Sequence, residues 1–371
     1  MTATLSDVAQ RAGVSEATAS RVLNGRRYVA DATRARVQAA AQALDYLPNR
    51  AARNLSMART ATVALLVHRG QYPAHGEGTF ASRVLHGVSQ ALRLRGYDLL
   101  YAPVDDAAVE HLARLSAVRA GRSDGALLLG PAFPAPAVDA LVAARWPLVL
   151  VDNAHDGVDA VMADNRPAAE ALTRHLVDDH GYRRVLCIAG PAHWPSNAER
   201  IDGYVAAMDA ACLTPQVIHA AETTMRDGAE AVGRLPGGAA DAIVAVNDAM
   251  AIGALHRLRP RPPRERPAVV GFDDIAWARL TEPPLTTVAV DAEAMGSRAA
   301  DLLIDRIEAA DDDVEPARIA RVPATLRLRR SCGCAPVASR DRPFSSVQAV
   351  PGPPSSPTPL GVTGGEIPDA N

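Results

Sequence analysis

The 371-residue chain has no lysine; all 39 of its basic side chains are arginine. A GC-rich coding sequence produces that bias, so arginine in place of lysine carries no message about bidentate contacts. Apolar runs long enough to span a bilayer are missing, and the first residues lack the basic-then-apolar order of an export signal. These absences predict a cytoplasmic protein without a membrane partner. Cysteine is sparse, four in all, and in the cytoplasm Cys187, Cys212, Cys332 and Cys334 are expected to be reduced. Cys332 and Cys334 stand close together, but no second ligand pair has matching spacing, so a structural role is expected and no metal site. No Gly-rich phosphate loop, metal-ligand cluster or Ser/His/acid arrangement rises above chance. The expectation is a protein that is not an enzyme and needs no cofactor.

What is present is unevenly spread. Residues 1–60 hold nine arginines against four acids, net +5, and the remainder holds thirty against thirty-eight, net −8. A basic head on an acidic body is the footprint of a phosphate-binding module joined to something that need not touch nucleic acid. Within that head, Leu5, Val8, Ala9 and Ala12 follow the i, i+3, i+4, i+7 spacing of one helix face. Gly13 interrupts, and Val14-Ser15 restarts the chain with Ser15 placed as an N-cap. In the second helix Ala19, Val22 and Leu23 turn inward, leaving Glu16, Ala17, Ser20 and Arg21 on the opposite face. Two short helices around a glycine turn read as a DNA-binding helix-turn-helix, although an ordinary αα-hairpin gives the same pattern.

The order from Ser15 through Glu16, Ala17, Thr18, Ala19, Ser20, Arg21, Val22 and Leu23 to Asn24 resembles the recognition helix of the LacI/GalR family of bacterial transcription regulators. Tyr28-Val29, a helix ending Leu44-Asp45-Tyr46, and Pro48-Asn49-Arg50-Ala51-Ala52-Arg53-Asn54-Leu55 continue the resemblance, which runs to about Cys334. It implies DNA contacts from Ser15, Glu16, Ala17, Thr18, Ser20, Arg21, Asn24, Tyr46, Asn49, Arg50, Ala52 and Leu55. Arg21 is the expected reader of guanine O6 and N7, and Glu16 the acceptor from a cytosine amino group. The segment Pro48–Leu55 is too short to be a stable helix alone. The family's hinge helix stands there, with Leu55 as the apolar wedge that kinks DNA from the minor groove; the plain alternative is a linker in which Leu55 packs locally. Two departures appear in the head. Ala30 replaces the usual Ser, so helix three, about Ala32–Leu44, must be capped by Asp31 or left weaker. Ala19 replaces the usual Val, a smaller core plug.

Beyond Ala61 short apolar runs alternate with helical stretches, which means parallel sheet covered on both faces. Strands are expected at Thr62–Val67, Leu99–Pro103, Ala126–Leu129 and Leu148–Val151, with helices near Phe80–Arg95, Ala107–Val118 and Ala137–Ala144. A second series places strands near Val185–Ala189, Val217–His219, Ala242–Val246 and Val269–Phe272. Its helices fall near Ala168–Asp179, Arg200–Ala211, Arg226–Arg234 and Ala249–Arg257. The resemblance supplies the wiring: the chain crosses near Asp164-Asn165, returns near Val288–Asp291, and the helix Ala292–Ile307 rejoins the first lobe. The expected fold is an all-α helix-turn-helix head (1–47), a hinge and linker (48–60), and an α/β two-lobe periplasmic-binding-protein-like core with parallel sheets (61–334). Lobe 1 would comprise about 61–163 and 291–322, and lobe 2 about 164–290 and 323–334. The Arg/Pro-rich stretch Arg257–Arg266 reads as a solvated loop. The Pro-, Ser- and Gly-rich tail 335–371 reads as disordered and has no leucine heptads for a coiled coil.

Ligands of open α/β sheets bind beyond the carboxyl ends of the strands. There the sequence places Asp152, then Ser196 to Arg200, Asn247-Asp248 and Asp273-Asp274, a set of carboxylates, amides and a guanidinium suited to a hydroxyl-rich molecule. Arg200, Asn247 and Asp273 match the family's effector positions; Phe80, Asp152, Trp194 and Trp277 complete the expected set, the tryptophans as stacking partners for a sugar face. Asn247-Asp248 could equally cap a helix, and Asp273 or Asp274 serve a turn. Where relatives carry Asn-Pro-Phe-Phe, this chain has Glu77-Gly78-Thr79-Phe80, and Val290 stands where a Gln is usual. The reading is a homodimeric repressor on a pseudo-palindromic operator, answering a sugar in the cleft. A nucleoside or purine effector is the alternative, and a transport solute-binding protein fits less well.

Overall fold

The computed structural model describes residues 3–23, 29–46, 59–68, 79–119, 121–131, 133–309, 316–334 and 341–342. Helices α1 (Leu5–Ala12), α2 (Glu16–Leu23) and α3 (Asp31–Ala43) form the head. Thr4 and Asp7 close a reciprocal capping box at the start of α1. Gly13 ends the helix in the left-handed conformation, φ 65°, where a side chain would be strained. The Ser15 hydroxyl then accepts from the Thr18 amide at 3.2 Å, the N-cap expected for α2. Val8, Ala9, Ala12, Ala19, Val22, Val37, Ala40 and Ala41 pack as one small core. Ala30 precedes α3 without any side-chain cap, and Asp31 is already inside the helix. Of the two options left open for this terminus, the uncapped one holds.

The next strands build a six-stranded sheet in the order β11-β5-β4-β3-β1-β2. Its members are β1 (Thr62–His68), β2 (Asp98–Val104), β3 (Gly125–Leu129), β4 (Leu148–Val151), β5 (Asp159–Ala163) and β11 (Ile319–Val322), and every pairing is parallel. Near-continuous burial along β1, β3, β4 and β5 shows both faces covered. On one face α4 (Phe80–Arg95) lies against α11 (Ala292–Glu308), where an added Cβ at Gly87 would stand 2.0 Å from the Glu293 carbonyl oxygen. A side chain at that crossing would force the helices apart.

The other face departs from the sequence reading. The helix expected over Ala107–Val118 is a four-residue α5 (Asp106–Val109), followed by 3₁₀ turns at Leu112–Arg114 and Ser116–Val118. Its buried residues Val109, Leu112, Ala117 and Val118 do not share one helical face, and Leu115 takes an extended backbone between the turns. α6 (Ala135–Ala143) completes that layer.

A four-stranded parallel sheet, order β7-β6-β8-β9, forms the second lobe. Its strands are β6 (Val185–Ala189), β7 (Gln216–His219), β8 (Ala242–Ala245) and β9 (Ala268–Val270), with helices α7 (Asn165–Arg174), α8 (Pro195–Ala210), α9 (Met225–Gly233) and α10 (Asp248–Leu258). The helix expected over Ala168–Asp179 is regular only to Arg174 and continues as one π-helical turn, His175–Asp179. A small antiparallel sheet, β10 (Thr287–Val290), β12 (Ala324–Arg327) and β13 (Asp341–Arg342), was not expected. Within the tail 335–371, Asp341 and Arg342 pair with β12; the rest of that tail lies outside the described residues. The Arg/Pro-rich stretch begins in the last turn of α10, where Leu258 is buried, and beyond it is a surface loop with one 3₁₀ turn at Pro263–Glu265. Its arginines fold back on backbone carbonyls: Arg261 on Leu235 at 2.7 Å and Arg266 on Arg261 at 2.7 Å.

Candidate functional site

Seven residues expected in the cleft, Phe80, Asp152, Trp194, Arg200, Asn247, Asp273 and Trp277, line one cavity of about 390 Å³. They arrive from the first turn of α4, the end of β4, the start of α8, the loop after β8 and the loop after β9. Thr79 and Pro131 add to the first-lobe wall, Ser196, Asn197, Ala249 and Ile275 to the second. The loop after β7 contributes Thr223 to Arg226, which the sequence reading missed. That loop follows a strand's carboxyl end like the others, and position alone would have marked it.

Arg200 is the centre of the wall. Its guanidinium is buried and lies 3.9 Å above the Phe272 ring. Nε donates to Asn165 Oδ1 at 2.8 Å and Nη1 to the Val246 carbonyl at 2.6 Å, while Nη2 stands 3.3 Å from Asp273 Oδ1. Asn165 in turn donates to Glu199 at 3.0 Å, and Glu199 meets Arg321 of β11 through two bonds of 2.7 and 2.6 Å. A polar chain therefore runs from the cavity to the first-lobe sheet; the sequence marks Glu199 within the Ser196–Arg200 cleft segment and Asn165 at the lobe crossover, but not their linkage, and it does not mark Arg321.

The two carboxylates facing Arg200 are held at a cost. Burial pushes Asp152 from 3.8 up to about 6, against the attraction of Arg200 and a hydrogen bond from Ser196. Burial, opposed by Arg200 and reinforced by the charge of Asp152, raises Asp273 to about 7. Both sit at positive φ, 58° for Asp152 and 113° for Asp273, conformations that non-glycine residues rarely adopt. The Oδ1 atom of Asp152 is buried and accepts no hydrogen bond from the described residues.

Neighbouring acids have other work. Asp248 is buried, accepting from the Ile275 amide at 2.9 Å and the Thr287 hydroxyl at 2.5 Å, and Asp274 pairs with Arg329 and Arg279. Both are structural. Asn247 caps α10 through the Met250 amide at 2.8 Å, donates from Nδ2 to the Thr223 carbonyl at 3.0 Å, and lines the cavity.

In the head, the N-cap Ser15 and, on α2, Glu16, Ala17 and Arg21 are exposed, and Thr18 and Ser20 are half-buried beside them. Tyr46 packs partly against the head's core. Asn24, Asn49, Arg50, Ala52 and Leu55 lie outside the described residues.

An exposed polar helix face and a buried two-lobe cavity on one chain invite comparison with known proteins. Residues 4–49 match the family described as bacterial regulatory proteins, lacI family, and residues 173–332 match the periplasmic binding protein-like domain. The transcriptional regulator CelR of Thermobifida fusca is 37% identical over 85% of this chain and 94% of its own length. The chain belongs to the lacI family of bacterial regulatory proteins. The ribose operon repressor of Escherichia coli K12 is 33% identical over 82% of the chain and 93% of its own. Among solved structures, the CelR–cellobiose complex superposes with a TM-score of 0.63 at 33% identity, covering 89% of this chain and 99% of that one. The lac repressor dimer on its operator, 23% identical, gives a TM-score of 0.70 over 90% of this chain and 99% of that one, which speaks to fold. As a family member the chain is a DNA-binding transcriptional regulator and not an enzyme, and no described helix is long and apolar enough to cross a membrane.

Proposed function

We propose that this regulator is a repressor, dimeric on a pseudo-palindromic operator in the cytoplasm, whose DNA affinity is set by a sugar bound between the lobes. The observation that carries the reading is the Arg200–Asp273–Asp152 constellation. A buried guanidinium beside the costly Asp273 carboxylate, with the Asp152 carboxylate on the same cavity offering an oxygen to which no described residue donates, suits vicinal hydroxyls that both give and accept hydrogen bonds. Phe80, Trp194 and Trp277 offer flat apolar faces for the ring. CelR has been solved with cellobiose, and the ribose operon repressor is named for its sugar system. Glu16, Ala17, Ser20 and Arg21 would enter the major groove, with Arg21 as the guanine reader.

The test is calorimetry of the full chain against β-linked gluco-oligosaccharides, pentoses and purine bases, followed by operator titrations with each binder. The expected outcome is saturable binding of a sugar that changes operator affinity. The aromatic walls would also accommodate a purine, and PurR of Haemophilus influenzae is 28% identical over 89% of this chain and 98% of its own length. Binding of purines and no sugar would replace the first reading by the second.

A further inference from the structure

The geometry points to a zinc site outside the cleft, built from His175, His180, Cys332 and Cys334. One ligand atom from each of these residues lies within 4.8 Å of the other three. In the sequence Cys332 and Cys334 lack a second ligand pair of matching spacing; the fold supplies one in His175 and His180.

The second pair was hidden by its spacing. An α-helix brings i and i+4 to one side, but His175 and His180 are five apart. The π-helical turn His175–Asp179 adds the extra residue per turn that superposes i and i+5, and such turns recur at functional sites. Nε2 of His175 and Nε2 of His180 come within 3.2 Å, and Cys334 Sγ stands 3.4 Å from the second and 3.7 Å from the first. A tetrahedral zinc with ordinary bond lengths separates two nitrogens by about 3.3 Å and a nitrogen from a sulfur by about 3.6 Å. The histidine and Cys334 atoms are therefore already at coordination spacing.

The surroundings match a metal site's outer shell. Nδ1 of His175 is 2.8 Å from Asp179 Oδ2, the carboxylate–histidine relay that presents Nε2 as a lone pair. With that nitrogen directed at the shared focus, Nε2 of His180 faces both a lone pair and a sulfur, and one ring N–H cannot serve the two contacts. Cys332 Sγ accepts from the Thr286 hydroxyl at 3.1 Å. Between the two cysteines Gly333 takes φ 98°, and a Cβ there would fall 2.8 Å from the Tyr182 hydroxyl. That hydroxyl donates to the Cys332 carbonyl at 3.1 Å, and the Tyr182 ring stacks on His180 with centroids 5.4 Å apart. Two thiolates and two imidazoles in a closed tetrahedron select zinc among common divalent ions and leave no position for substrate. The site joins the segment after β12 to the end of α7, so its role is to staple the last stretch of the core to the second lobe.

The experiment uses the full chain, purified under reducing conditions without chelator. Zinc per chain is measured by mass spectrometry of the metal, and the stripped protein is titrated with Co²⁺, whose tetrahedral thiolate complex is coloured. The expected result is about one zinc per chain and a visible Co²⁺ spectrum with sulfur charge-transfer bands. His180→Ala and Cys334→Ser, both at half-buried positions, should lose the spectrum, and Asp179→Asn should weaken Co²⁺ affinity by about ten- to a hundred-fold. Should the variants fail to fold, the wild-type titration decides alone. A folded, reduced wild-type chain that holds no zinc and gives no Co²⁺ spectrum overturns the site. So does undiminished binding in folded His180→Ala and Cys334→Ser, or a disulfide linking Cys332 to Cys334 in protein taken directly from cells.

Discussion

At Asp273 ligand recognition and stability pull in opposite directions. Its folded pKa, about 7, lies above the ordinary 3.8 because burial and the Asp152 charge outweigh the help of Arg200. Between those values the folded protein holds a proton that the unfolded chain has released, so stability falls as pH rises from about 4 to about 7 and levels off above. Asp152, raised to about 6, acts in the same sense over the lower part of that window. Ligand-free melting temperatures should therefore decline across this range by more in the wild type than in Asp273→Asn. A variant whose curve parallels the wild type would show that Asp273 titrates normally. The same Asn substitution, and Arg200→Ala, should abolish the effector's influence on operator affinity while leaving binding of the ligand-free protein near normal. Removing a partner from a charge-assisted bond costs about 1.5–3 kcal/mol. In the head, Arg21→Ala should lose about 1–3 kcal/mol on operator and much less on random DNA. Equal losses on both would make Arg21 a phosphate contact. These residues were legible in the sequence because each follows a strand's carboxyl end or stands within a short, specific motif. The linkage of Asn165, Glu199 and Arg321 was not, since it depends on pairing Glu199 with Arg321, residues more than a hundred positions apart.

Among the elements, helices with one clean apolar stripe were readable and those without were not. α1 and α4 carry their buried residues on one face and formed within a residue or so of expectation. The stretch after β2 had as many apolar residues, but they do not share a side, so it became turns. The π-turn after α7 was invisible for a related reason: it interrupts a helical pattern without a proline or glycine to announce it. The α4–α11 crossing depends on absence of side chains, which a hydrophobicity pattern does not register. An added Cβ at Gly296 would stand 2.2 Å from the Val84 carbonyl oxygen, a backbone atom that cannot rotate away. Gly296→Ala should thus cost about 1–3 kcal/mol as overpacking, despite alanine's better helix propensity. Urea denaturation checks this; a variant as stable as the wild type would mean the two helices slide apart freely.

For the whole molecule, the question is how a ligand between lobes changes anything outside the cleft. A ligand shifts an equilibrium only by its differential affinity for the two states, so the states must differ at contacts coupled to the site. The chain Asp273–Arg200–Asn165–Glu199–Arg321 is such a set: it begins on the cavity wall and ends on β11, the edge strand of the first-lobe sheet. Its last link is a bidentate arginine–carboxylate pair, in which direction as well as distance is fixed. Arg321 is partly exposed, so its removal should cost little global stability. Its loss would instead leave the lobes less firmly oriented, and the ligand would have to supply that ordering when it binds. Arg321→Ala should therefore raise the effector concentration needed for half-maximal change in operator affinity, with a nearly unchanged melting temperature and unchanged operator affinity in the absence of effector. Arg321→Lys, which keeps the charge but not the two-pronged geometry, should fall between. Operator titrations at graded effector concentration measure this directly. If Arg321→Ala responds at the wild-type midpoint, the polar chain is a local brace and the coupling runs elsewhere.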